Sequence, residues 1–111
     1  MHTLRNIDIR HRERILPELY RFVDVLKSRF KITSVHVFGS FVKGKLHEGS
    51  DIDLLIVGDF HERYFDRVEQ VIGLTELPIE PVIYSDEEYA RLLAEKNPFV
   101  VGLMVHASRI G

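Results

Sequence analysis

Apolar residues recur along the chain with two different periods, and the changes of period predict its secondary structure. In residues 15–30 the apolar side chains follow helical spacing, which predicts a first helix with Pro17 in its first turn. Short apolar runs rich in β-branched residues predict three strands, over residues 34–38, 51–57 and 78–84.

Further helices are predicted from spacing and from capping signals. Residues 61–73 return to helical spacing and end at a glycine. Residues 85–88 have the capping-box pattern that opens a helix, and Asn97 followed by Pro98 has the pattern of an N-cap with proline in the first turn. With a short helical turn in residues 40–44, the predicted order is αβ(α)βαβαα.

Composition limits the kinds of protein that this chain can be. Its 111 residues are 45% hydrophobic, which predicts a single globular domain over residues 1–111. Without cysteine there is no disulfide framework, thiol nucleophile or thiolate metal site. No run approaches the length of a membrane span, so we expect a cytoplasmic protein. A net charge of −2 argues against nucleic acid as a partner.

Two aspartates stand at the start of an apolar strand. Asp51 and Asp53 are two residues apart, so the strand period places both carboxylates on one face. Like charges side by side are unfavourable unless a cation lies between them. Oxygen ligands on a rigid element suit Mg²⁺, which completes its shell with water and substrate phosphates. This pair therefore predicts a metal site, although two solvated aspartates after a turn are the alternative.

A Gly-Ser pair follows the preceding strand. Gly39 lacks a Cβ, so backbone N–H groups there can approach an anion, and the Ser40 hydroxyl can donate to a phosphate oxygen. Lys43 lies in the following loop, within reach of a triphosphate, although loop lysines are often simply solvated. These residues predict a phosphate-binding end opposite the metal-binding end.

The segment VFGSFVKGKLHEGSDIDLLIV, residues 37–57, resembles the signature of the nucleotidyltransferase superfamily related to DNA polymerase β, in its minimal form. The resemblance implies an α+β, two-layer nucleotidyltransferase fold, a short mixed sheet with helices packed on one face. It implies that Asp51 and Asp53 bind two Mg²⁺ ions, with Mn²⁺ as a substitute. Gly39 and Ser40 would hold the β and γ phosphates of ATP or another nucleoside triphosphate while a nucleoside monophosphate moves to an acceptor hydroxyl.

A third carboxylate is expected from the same resemblance. Relatives carry an acid, usually Asp, on the third strand, and here Glu80 stands in the apolar run PIEPVIY. The alternative is a solvent-facing Glu on an edge strand, because Pro81 cannot donate to a ladder and marks an edge or a bulge. Glu76 and Asp86 are weaker candidates for the same role.

The resemblance also bears on phosphate binding and on partners. Phe41, Val42 and Lys43 stand where relatives often carry arginine, so Lys43 offers only a point charge.

Minimal members are commonly paired with a helical HEPN-type protein in toxin-antitoxin modules, to which they transfer AMP from ATP. We therefore expect such a partner or a homo-oligomer. A non-catalytic, antitoxin-like protein-binding module with vestigial acids is the alternative.

Overall fold

The computed structural model describes residues 9–39 and 51–111, with side chains from residue 14 onward in the first range. The helices in these ranges are α1 (Ile9–Arg29), α2 (Tyr64–Ile72), α3 (Asp86–Ala94) and α4 (Pro98–Met104). The strands are β1 (Ile32–Phe38), β2 (Ile52–Gly58), β3 (Ile79–Ser85) and β4 (Ser108–Arg109). The helical turn predicted for residues 40–44 lies outside the described residues.

The strands form one mixed sheet in the order β3-β2-β1-β4. β1 is antiparallel to both of its neighbours, and β2 is parallel to β3, to which α2 provides the crossover. The predicted α+β class with a short mixed sheet is confirmed. The edge position predicted for Pro81 is also confirmed, because β3 is the outermost strand on its side.

The main core lies on one face of the sheet, under α1 and α2. α1 contributes a stripe of four buried residues at helical spacing, Leu19, Phe22, Val23 and Leu26. Val71 of α2 and alternate residues of the strands complete it, including Ile52, Leu54 and Ile56 of β2. Leu55 and Val57 alternate to the opposite face and are buried as well, as is Val100 of α4.

The predicted helix starts agree with the capping geometry. The Ser85 hydroxyl accepts from the Glu88 N–H at 3.1 Å, and the Glu88 carboxylate accepts from the Ser85 N–H at 2.8 Å. Asn97 Oδ1 accepts from the N–H groups of Phe99 and Val100. Each cap satisfies backbone donors that a helix leaves free in its first turn.

One expectation about α1 was wrong, and one short strand was not predicted. α1 begins at Ile9, so Pro17 lies inside the helix and not in its first turn. Pro17 is on the exposed side of α1, so the hydrogen bond that it removes does not interrupt the buried stripe. β4 was not predicted, because two residues are too short to show a period, and it pairs with His36 and Val37 of β1.

None of the helices within residues 9–39 and 51–111 is both long and apolar enough to cross a membrane.

Candidate functional site

The candidate carboxylates lie on the sheet face opposite the main core. Along β2, Asp53 alternates with the buried Ile52 and Leu54, so its side chain is directed to that second face. The strand register places Asp53 beside Phe38 of β1 on one side and beside Glu80 of β3 on the other. Two carboxylates that are 27 residues apart in the sequence are therefore direct neighbours across the parallel pair.

Gly39 lies against the Asp53 carboxylate. Its backbone has a φ of +72°, a conformation that L side chains rarely adopt. A Cβ at this position would lie 2.2 Å from Oδ2 of Asp53, so only glycine leaves room for that side chain. The glycine of the Gly-Ser pair and the second aspartate thus form one packed unit at the end of β1.

Asp51, Asp53 and Glu80 are electrostatically coupled. Burial raises the pKa of the half-buried Asp53, and the charge of Asp51 raises it further. A hydrogen bond to the Asp51 carboxyl group, followed by the charge of Asp53, raises the pKa of Glu80. The pKa of Glu80 is raised mainly by the neighbouring carboxyl groups of Asp51 and Asp53, since the Glu80 side chain itself is exposed. Three acidic groups therefore crowd one position on an open face, where a cation would relieve their repulsion.

The chemistry of these three residues fits a hard divalent cation, since all of their donor atoms are carboxylate oxygens. In residues 14–39 and 51–111, however, no group of three or more His, Asp or Glu side chains is already placed to hold a metal ion.

The other predicted residues divide into two groups. Ser40 and Lys43 lie outside the described residues. Asp86 is excluded from the carboxylate cluster, because it follows the far end of β3 and accepts a hydrogen bond from the Thr33 hydroxyl. Glu76 lies in the connection between α2 and β3, where it lines a cavity against α1.

Sequence reasoning missed Arg67, a buried cation that joins three elements. Arg67 of α2 is only 6% exposed and donates to both carboxylate oxygens of Glu88, at 2.6 and 3.3 Å. It also donates to the backbone carbonyls of Glu62 and Ile83. The available signal was its place four residues before Val71, on the apolar stripe of α2.

Comparison with known proteins identifies the family of the chain. Residues 19–104 match the sequence profile of the family described as "Nucleotidyltransferase domain". A "Putative protein adenylyltransferase" of Methanocaldococcus jannaschii is 36% identical over 69 residues, which cover 60% of this chain and 69% of that protein. "Protein adenylyltransferase MntA" of Thermococcus cleftensis is 34% identical over 65 residues, covering 54% and 64%.

A solved structure shares the fold. The crystal structure of "a putative nucleotidyltransferase" from Sulfolobus solfataricus superposes with a TM-score of 0.60 at 26% sequence identity, covering 72% of this chain and 75% of that one. The profile match spans most of the chain, including both aspartates, Gly39 and Glu80. The chain therefore belongs to the nucleotidyltransferase domain family and is an enzyme of nucleotidyl transfer.

Proposed function

We propose that this chain transfers AMP from ATP to a hydroxyl group of an acceptor protein, in a reaction that depends on a divalent metal. The observation that carries the proposal is the position of Asp53, packed against Gly39 on one side and beside Glu80 on the next strand. The names of the relatives, protein adenylyltransferases, support AMP as the transferred group and a protein as the acceptor.

In this proposal Asp51, Asp53 and Glu80 hold Mg²⁺, with Mn²⁺ able to substitute. Bound there, the metal supplies positive charge that stabilises the triphosphate and lowers the pKa of the acceptor hydroxyl. The three carboxylates do not react covalently. Their contribution is to position charge, which is most of what a protein contributes to phosphoryl and nucleotidyl transfer.

The phosphates of ATP are assigned to the end of β1. We assign Gly39 and Ser40 to the β and γ phosphates, with Lys43 as an additional positive charge. The acceptor oxygen bonds to the α-phosphorus while the bond from that phosphorus to the bridging oxygen breaks. Pyrophosphate leaves, the hydroxyl gives up its proton, and AMP remains on the acceptor.

The acceptor is assigned to a second protein. A helical HEPN-type protein is our first candidate, and a second copy of this chain is the other. The open sheet face supports this assignment, because Asp51 and Glu80 are both exposed and leave room for a partner to approach.

The test uses ATP labelled either at the α or at the γ phosphate, with Mg²⁺ and a helical HEPN-type protein as the candidate acceptor. We expect the α label to appear on the acceptor and the γ label to leave as pyrophosphate. Transfer of the γ label would identify a kinase instead. Calorimetry supplies a second measurement: nucleotide that binds equally tightly in excess chelator would contradict the metal-dependent proposal.

The matched inactive control is Asp53→Asn, which keeps the shape of the side chain beside Gly39. We expect it to abolish transfer while leaving the melting temperature unchanged or higher. The reason is that burial and Asp51 already disfavour the charged carboxylate, so the neutral amide removes a repulsion. Normal transfer by this variant would remove Asp53 from the catalytic site.

A further inference from the structure

His36 lies on the same sheet face as the candidate carboxylates. In the register of β1 and β2, Asp53 lies directly opposite Phe38, and His36 precedes Phe38 by two residues. Residues two apart on a strand share a face, so His36 and Asp53 are diagonal neighbours on the second face of the sheet. Diagonal neighbours lie roughly 7–8 Å apart, within reach of aromatic and long side chains. His36 is therefore close enough to contact a ligand bound at Asp53.

The imidazole of His36 has no structural partner that explains it. Its Nδ1 atom is buried and has no hydrogen-bond partner within residues 14–39 and 51–111. A buried polar atom without a partner is unfavourable, and native structures contain few of them. An apolar side chain of similar size would avoid this cost at the same position of β1. Packing alone therefore does not account for a histidine here.

The His36 ring presents a hydrogen-bond donor to the sheet face. Burial, followed by the charge of Arg109 directly opposite on β4, lowers the pKa of His36, so the ring is neutral at neutral pH. A proton on Nδ1 would be a buried donor without an acceptor, so the tautomer with its proton on Nε2 is favoured. Nε2 is not enclosed in this way, since the side chain as a whole is only partly buried.

This Nε2 donor is not used by the neighbouring carboxylate. A hydrogen bond from His36 would lower the pKa of Asp53, whereas burial and the charge of Asp51 raise it. Arg109, on the other side of His36, is held in place because its guanidinium donates to two backbone carbonyls. A free donor beside a fixed positive charge suits an anion.

The anion that the proposed function brings to this position is the α-phosphate of ATP. The β and γ phosphates are assigned to Gly39 and Ser40, past the end of β1, and the metal is assigned to Asp53 and its neighbours. On these assignments the α-phosphate lies beside Asp53, where His36 is the adjacent donor on β1.

We propose that His36 is a further catalytic residue, which donates a hydrogen bond from Nε2 to a nonbridging oxygen of the α-phosphate. This bond stabilises the charge on that oxygen in the transition state of AMP transfer. The inference rests on the proposed function for the identity of the anion, but the contact with the nucleotide can be measured without transfer.

The first experiment replaces the imidazole. His36→Phe keeps a planar ring and removes both nitrogens; we expect kcat/KM for α-label transfer to fall roughly tenfold to hundredfold, as for a hydrogen bond to a charged group. The melting temperature should stay the same or rise, because the unpartnered Nδ1 is gone. His36→Gln, whose amide can donate from a similar position, should recover part of the activity. Normal transfer by His36→Phe, or a loss of transfer that follows a fall in melting temperature and that glutamine does not reverse, would overturn the proposal.

Two control variants separate the donor from general effects of substitution. Ser34→Ala alters a buried residue of the same strand and face, two residues further from the carboxylates. His61→Phe makes the same exchange at an exposed histidine that follows the opposite end of β2 and pairs with Asp59. We expect both controls to keep wild-type transfer. A loss in either control as large as that of His36→Phe would contradict a specific role of Nε2.

The second experiment identifies the atom that accepts the hydrogen bond. ATP with sulfur in place of one nonbridging oxygen of the α-phosphate exists as two diastereomers, and sulfur is a weak acceptor. We expect the loss caused by His36→Phe to persist with one diastereomer and to disappear with the other, which already lacks the bond. Equal losses with both would overturn the contact with the α-phosphate. A loss that disappears instead with 2′-deoxy-ATP or 3′-deoxy-ATP would assign the donor to the ribose.

The third experiment needs no transfer. An ATP analogue with a methylene group between the α and β phosphorus atoms cannot release pyrophosphate, and the Nε2 resonance of His36 is identified by its absence from His36→Phe. We expect Mg²⁺ with this analogue to shift that resonance, and Mg²⁺ with inorganic pyrophosphate to leave it unchanged. Such a shift in a protein that transfers no AMP would support the contact and contradict the proposed function. No shift at saturation, or an equal shift with pyrophosphate, would overturn the contact even in an active enzyme.

Discussion

The Asp53 carboxylate occupies the space that a Cβ at Gly39, the residue after β1, would fill. Gly39 combines a positive φ with a close approach to Asp53, and each feature alone favours glycine. Substitution there affects stability and the site together, because any new side chain must displace the carboxylate that we assign to the metal.

Gly39→Ala should therefore destabilise the protein by roughly 1–2 kcal/mol from backbone strain alone. Activity should fall further than this loss of stability explains, because the new methyl group pushes Asp53 aside. Gly73→Ala is the control: Gly73 has a φ of −67°, and its nearest contacts for a Cβ are ordinary ones at 3.5 and 3.7 Å. Thermal unfolding and the α-label transfer assay compare the two; equal activity in both variants would contradict this role of Gly39.

Glu80 is the residue whose assignment is easiest to test against its alternative. Glu80→Gln should lower kcat much more than nucleotide affinity, because a ligand near the acceptor acts mainly in the transition state. Glu76→Gln is the comparison, since Glu76 lies in the connection before β3 and lines a cavity against α1. Full turnover by Glu80→Gln would show that Glu80 is a solvent-facing residue of an edge strand and does not bind the metal.

At the scale of elements, the Arg67–Glu88 pair joins α2, β3 and α3. The Glu88 carboxylate receives the guanidinium of Arg67 and also caps α3 through the Ser85 N–H. Arg67 in turn donates to the Ile83 carbonyl on the free edge of β3. Together with Pro81, which has no N–H, this contact leaves fewer free backbone groups for another strand to pair with.

This pair predicts how stability depends on pH. The hydrogen bonds with Arg67, above all, lower the pKa of Glu88 from 4.5 to about 2. Because the folded pKa is depressed, the stabilisation is complete above the unfolded pKa near 4.5 and is lost as the pH falls toward 2. The difference in unfolding free energy between the wild type and Glu88→Gln should shrink over this range, as measured by urea unfolding at each pH.

The control for the pH experiment is Glu87→Gln, which alters an exposed glutamate in the same first turn of α3. We expect its difference from the wild type to be smaller near neutral pH than that of Glu88→Gln. Equal effects of the two substitutions would show that general helix-end charge, and not the contact with Arg67, is responsible.

At the scale of the whole molecule, the apolar surface of the C-terminal region remains to be explained. From the sequence, Phe99, Val100, Leu103 and Met104 are apolar enough to contact a partner, and packing of this helix on its own sheet is the alternative. Val100 is completely buried, so this side chain packs within the chain, as the alternative expects. Phe99 and Val105 are 54% and 66% exposed, so the prediction of a partner or a second copy now rests on these side chains.

Replacing both exposed side chains should therefore weaken assembly. We expect Phe99→Ser with Val105→Ser to lower the mass measured by light scattering, or to prevent complex formation with a HEPN-type protein. Phe65→Ser is the control, because Phe65 is equally apolar and exposed but belongs to α2. A wild-type chain that stays monomeric at high concentration and does not bind a HEPN-type protein would contradict the assembly prediction.

The sequence alone was enough for features that depend on near neighbours along the chain. The caps at Ser85 and Asn97, the helical stripe of α1 and the position of Asp53 within a strand each need only a few consecutive residues. Asp51 was predicted to lie on the same strand, but β2 begins one residue later, at Ile52. Local periodicity and capping chemistry determine such features, since backbone hydrogen bonds and burial act within a turn or a strand. The family followed from residues 37–57 for the same reason, because its motif is local.

Tertiary structure alone decided the features that depend on register and on packing between distant segments. These are the pairing of Asp53 with Glu80, the contact of Gly39 with Asp53, the burial of Arg67 against Glu88, and the addition of β4 to β1. No local pattern encodes them, because they depend on which strands become neighbours and on how far one slides along the other. Strand order and register are set when side chains from distant segments are buried together in one core, and a short stretch of sequence includes too few of those side chains to predict them.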